Sequence, residues 1–178
     1  MANHATQRSY VETRRSLLCA VLASAIAAAI IHTTPHIEIE LFARGAATLA
    51  GLLSGAPVFP EADGWLLPIL SQPVLVNEAC SGADFYLLTT ALLGWHLPGI
   101  FKKTLPCILV TLLGALILTI SVNALRIVCL AQTHYWLISR VPENYAGFIH
   151  MLVGIATFLP ALILLNLAFE YYDRRRHQ

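Results

Sequence analysis

With 57% of its 178 residues hydrophobic and only 12% charged, the chain departs from soluble domains, in which about a quarter of residues carry charge. Its net charge of +1 excludes a partner held by a broad basic surface, nucleic acid above all. The length suits one compact bundle of a few spans of roughly 20 residues each, with no appended soluble domain.

The first predicted span covers 16–32, an apolar run from Leu17 to Ile31 interrupted only by Ser24, behind Arg8, Arg14 and Arg15. A basic start, an apolar middle and small residues also describe a cleaved signal peptide, so that reading stands beside the first. Leu41 to Phe59 carries a single charge, Arg44, yet Gly45, Gly51, Gly55 and Pro57 make it a poor lone helix. It is expected to lie along the outer surface or to pack on the bundle as a short helix. Gly64 to Glu78, with Pro68, Pro73 and the alternating Val74 and Val76, reads as a short strand or extended arm leading to Cys80. Three more spans follow at about 83–101, 105–130 and 148–169, with Pro98, Pro106 and Pro160 in or near them; neighbouring helices in lipid tolerate such prolines.

The prediction is therefore an all-α integral membrane protein, a single domain formed by a bundle of about four transmembrane helices. An extracytoplasmic amphipathic or extended segment joins the first two, with outer loops at about 33–82 and 131–147. Basic residues set the orientation, because short cytoplasmic loops are enriched in Lys and Arg. With the N-terminus inside, Arg8, Arg14, Arg15, Lys102, Lys103, Arg174, Arg175 and Arg176 are cytoplasmic, and only Arg44, Arg126 and Arg140 fall outside. Both termini are then cytoplasmic, in an inner membrane. Tyr135, Trp136, Tyr145 and Phe148 fit an interfacial belt.

Within VNEACSGADF, Ser81 and Asp84 form an S-x-x-D pattern ahead of an apolar run, which marks a helix start and puts Cys80 just before its N-cap. Unpaired amides and the positive helix end lower a thiol pKa there; Glu78 opposes this, so a cation is expected nearby. Arg126, in SVNALRIV, lies about 30 Å along the third span from Leu105, at the outer interface. His150 lies near the start of the fourth span on the same side. Ionisable groups within membrane boundaries are costly, and three at one depth point to function. A cysteine thiolate, a histidine base and an arginine that holds an oxyanion fit acyl transfer through a thioester, with no cofactor and no metal required.

EACSG at Glu78 to Gly82, NALRI at Asn123 to Ile127 and IHMLVG at Ile149 to Gly154 resemble, in order and position, the three signature segments of the exosortase/archaeosortase family. The resemblance implies a multipass cysteine transpeptidase in which Cys80 is the nucleophile, Arg126 stabilises the oxyanion or positions substrate, and His150 is the general base. It implies as substrates exported proteins with a C-terminal sorting signal, made of a recognition motif, a hydrophobic span and a basic tail, cleaved at the outer face. Family members are commonly larger, so a compact subfamily is implied. Asn123, one turn before Arg126, is placed to orient it, and Ser81 to donate through its amide.

Two other classes of function stay open on the residues themselves. One is a non-enzymatic assembly protein pinned by a Cys80–Cys129 disulfide; the other is a small transporter subunit with Arg126 and His150 along a polar path. Cys19 and Cys107 read as small buried hydrophobes. His32, His36, Glu38 and Glu40 have some metal-ligand character, though Pro35 between the histidines spoils the helix that would pair them. His134 is an alternative base.

Overall fold

The computed structural model describes residues 2–34, 36–69, 72–101, 103–137 and 145–176. Five α-helices run through them: α1 (Ala2–Thr33), α2 (Arg44–Ser54), α3 (Ala83–His96), α4 (Thr104–Leu137) and α5 (Ala146–Arg176). Between α2 and α3 lie three strands, β1 (Phe59–Glu61), β2 (Gly64–Ile69) and β3 (Gln72–Val76), in one antiparallel sheet of order β1-β2-β3. Thr13–Thr33, Thr104–Leu137 and Gly147–Arg175 are long and apolar enough to cross a membrane. This is an all-α membrane protein with a small sheet inserted.

The second expected span is divided. α3 has 14 residues, and a 3₁₀ turn at Leu97–Gly99 follows it. Pro98 lies in that turn, where its missing N–H and fixed φ oppose continuation of the α-helix. The two pieces together rise about 27 Å, but α3 alone is too short to join the three helices long and apolar enough to cross a membrane. The other expected spans sit inside longer helices that continue past the apolar run.

The chain separates into two compact units. The first comprises Met1–Pro35 and Asp84–Leu118, and it is built on small residues. A Cβ on Gly94 would lie 2.7 Å from Ala20 Cα, so α3 and α1 meet backbone to backbone, as helices in lipid do when small residues face each other. Cys19, Ala23 and Ala27 form the buried stripe of α1, while Leu17, Leu18, Val21 and Ile26 face outward. Cys19 and Cys107 bring their sulfurs to 3.2 Å as free thiols.

The second unit comprises His36–Ala83 and Thr119–Gln178. A π-helical turn at Glu38–Ala43 runs into α2, whose 11 residues rise only about 17 Å, too little to span. Gly55 ends α2 in the left-handed conformation (φ 69°). One face of α2, Ala46, Ala47, Ala50 and Gly51, is buried, and a Cβ on Gly45 would lie 2.9 Å from Ile120 of α4. The expected extended arm is in fact β2 and β3, paired from Trp65↔Val76 to Ile69↔Gln72. Alternation turns Leu67 and Ile69 inward and Pro68 outward; with Val76 they join Ala43, Ala46, Ala47, Ala50, Cys80, Ala124, Ile127 and Ala131 in one core. Cys80 therefore projects from a loop that is anchored on packed elements at both ends. Along α4, fully buried residues stand at a fourfold spacing, Cys107, Thr111 and Ala115 in the first unit and Thr119 and Asn123 in the second.

Candidate active site

After β3 the backbone makes one 3₁₀ turn, Glu78–Cys80, closed by Cys80 N–H to the Asn77 carbonyl (2.9 Å) and Ser81 N–H to the Glu78 carbonyl (3.0 Å). Gly82 then adopts φ 78°, a conformation that suits glycine, and α3 begins at Ala83. The helix start that S-x-x-D predicts is present but is built differently. Ser81 Oγ accepts from the Ala83 N–H (3.3 Å) and donates to Glu38 Oε2 (3.0 Å), so the hydroxyl ties the loop to the π-helical turn. Glu38 is thus a structural partner of this loop. Among the described residues no three His, Cys, Asp or Glu side chains gather to hold a metal.

His150 stands in the first turns of α5, with its Nε2 3.8 Å from Cys80 Sγ and 2.6 Å from Arg126 Nη2. A guanidinium has donors only, so Nε2 must accept from Arg126, and the proton of a neutral ring sits on Nδ1. The lone pair that faces the thiol is the same one that Arg126 occupies. Arg126 is itself seated by α5: its Cζ lies 5.1 Å from the centroid of the Phe158 ring, and Gly154 leaves space under the guanidinium, where a Cβ would come to 3.4 Å from Nε. His150, Gly154 and Phe158 recur every fourth residue and so share one face of α5.

Burial, with only 8% of the residue exposed, pushes the Cys80 thiol up from its ordinary 9.0. The Arg126 charge and the backbone contact with Asn77 pull it back only in part. This corrects the expectation that the helix start leaves a lowered thiol pKa: the sulfur is desolvated in the core cluster, and that outweighs the helix end and the guanidinium. The expected cation is Arg126. A buried thiol needs a base in contact, and His150 is the imidazole within reach.

The three segments singled out in the sequence, from the loop before α3, from α4 and from α5, thus meet in one cluster. A model of the transmembrane exosortase family matches residues 6–167. The chain belongs to that family. No curated protein and no solved structure matches it significantly. As an exosortase-family chain with apolar helices of spanning length, it is a multi-pass membrane protein.

Cys80 and Cys129 are both free thiols, Cys129 within α4, so the alternative Cys80–Cys129 disulfide is not formed. Arg44 pairs with Glu40 at 3.6 Å and stacks over Trp65 at 5.0 Å. Arg140 and Lys102 lie outside the described residues. Asn123 Nδ2 donates to the carbonyls of Cys80 (2.5 Å) and Ser81 (3.0 Å). Sequence reasoning missed Gly154 and Phe158 as the seat of Arg126, although their fourfold spacing from His150 was a usable signal. It also missed the Glu38–Ser81 bond, 43 residues apart in the chain, for which no local signal exists.

Proposed function

We propose that this exosortase-family protein is a membrane cysteine protease-transpeptidase that cleaves a C-terminal sorting signal and passes the product to an acceptor. The observation that carries the proposal is the position of His150 Nε2, 3.8 Å from the Cys80 sulfur and 2.6 Å from the Arg126 guanidinium. In the proposed cycle His150 Nε2 takes the Cys80 proton as the sulfur attacks the scissile carbonyl carbon. The bound scissile carbonyl oxygen draws the Arg126 guanidinium off Nε2, which frees the lone pair before the proton moves, and the guanidinium then holds the oxyanion that forms. The C–N bond then breaks, Nε2 gives its proton to the leaving amine, and a thioester remains on Cys80. An acceptor nucleophile, losing its proton to Nε2, attacks the thioester and releases the thiolate, which recovers the proton.

The substrates are proposed to be exported proteins whose tail combines a recognition motif, a hydrophobic span and basic residues. The site is proposed to face the extracytoplasmic side of the inner membrane, with both termini cytoplasmic. The chemistry uses thiol, imidazole and guanidinium alone. The test is co-expression with a tailed substrate and mass analysis of Cys80. Native enzyme should process the substrate and yield a substrate fragment as a thioester on Cys80, whereas Cys80→Ala and His150→Ala should leave the substrate uncut. Full processing by Cys80→Ala would end the proposal.

A further inference from the structure

We infer that Asn123 is a positioning residue for the nucleophile: its side-chain amide clamps the carbonyls of Cys80 and Ser81 and so sets where the sulfur stands against His150. The inference rests on the catalytic reading above and adds a residue to it. Asn123 is fully buried in α4, where a polar side chain is costly unless its donors are bonded. Both its donors go to consecutive peptide carbonyls of the nucleophile loop, at 2.5 and 3.0 Å. Its Oδ1 has no partner among the described residues, so the two donor bonds alone account for the amide's orientation. Turning the amide over would set an oxygen against two carbonyl oxygens.

The backbone is shaped to lie on this amide. A Cβ on Gly82 would come to 3.3 Å from both Cγ and Nδ2 of Asn123, and Gly82 is at φ 78°, so a side chain there meets strain and crowding together. Asn123 also stands three residues before Arg126, on neighbouring positions of one helix face. One rigid element therefore holds the loop that bears the sulfur and also carries the guanidinium that contacts the base. The reach of proton transfer is short, and a displacement of about 1 Å in such a site can cost on the order of a hundredfold. A clamp on the peptide that carries the sulfur is the device that prevents this displacement.

The experiment compares Cys80 alkylation by iodoacetamide in the full chain in membranes, read by peptide mass mapping at pH 8, with and without His150→Ala. The amide oxygen of iodoacetamide offers Arg126 an acceptor in place of Nε2, as the scissile carbonyl does. In the native background His150→Ala should therefore slow alkylation about tenfold or more, and in Asn123→Ala and Asn123→Asp it should slow it less than about twofold, because coupled sites do not add. The proposal is overturned if His150→Ala slows all three backgrounds by the same factor, since Asn123 would then act independently of the base. It is overturned equally if neither Asn123 variant keeps a cooperative thermal unfolding transition, which would make the residue structural. If His150→Ala has no effect even in the native chain, the catalytic reading fails first, a result distinct from the other two.

Discussion

Replacing Arg126 by Gln keeps an amide donor near His150 but removes the charge, and the consequence for Cys80 follows from distances. The separations of 2.6 Å and 3.8 Å through Nε2 place a guanidinium nitrogen no more than 6.4 Å from the sulfur. At that distance a unit charge favours a thiolate by about 2.6 kcal/mol at an effective dielectric of about 20, and by about 0.6 kcal/mol in bulk water. These limits correspond to roughly eightyfold and threefold changes in thiolate fraction. Both sites are about nine-tenths buried, which puts the expected effect toward the larger figure. The sign is fixed: burial raises the thiol pKa and Arg126 lowers it, so Arg126→Gln moves the alkylation profile of Cys80 to higher pH. The assay is the second-order rate of Cys80 carbamidomethylation in membranes from pH 7 to 10. An unchanged or faster rate below the midpoint would refute the coupling of guanidinium and sulfur.

Phe158→Leu removes the ring under Arg126 and should weaken its seating by about 0.5–2 kcal/mol, lowering substrate processing severalfold without abolishing it. Gly82→Ala should cost about 1–3 kcal/mol of stability, measured as a lower denaturation midpoint, because the backbone is left-handed there and Asn123 fills the space. Treatment with a copper-phenanthroline oxidant, which takes two electrons and two protons from a thiol pair, should join Cys19 to Cys107, whose sulfurs are 3.2 Å apart. Non-reducing peptide mapping should find that crosslink and none between Cys80 and Cys129.

The membrane class and the three chemical side chains were legible in the sequence, because a Cys, an Arg and a His at apolar boundaries stand out against their surroundings in desolvation cost. Leu41 to Phe59 was legible for a related reason, since its glycines spoil a lone span and it forms the 11-residue α2. The sheet was less so: β1 has three residues, too few for an alternating pattern to show. The division of the 83–101 segment into a helix and a 3₁₀ turn depends on Pro98, whose presence was visible and whose effect was underweighted.

By itself the sequence determined which groups are present and which apolar segments they border, because hydropathy and charge are properties of residues and add along the chain. The tertiary structure decided what each group is bonded to. That Arg126 occupies the Nε2 lone pair facing Cys80, that Asn123 reaches 43 residues back to the Cys80 loop, and that burial raises the thiol are outcomes of packing. Such contacts form between segments remote in the chain, and their energies depend on a few tenths of an ångström and on local desolvation, neither of which is encoded at any single position.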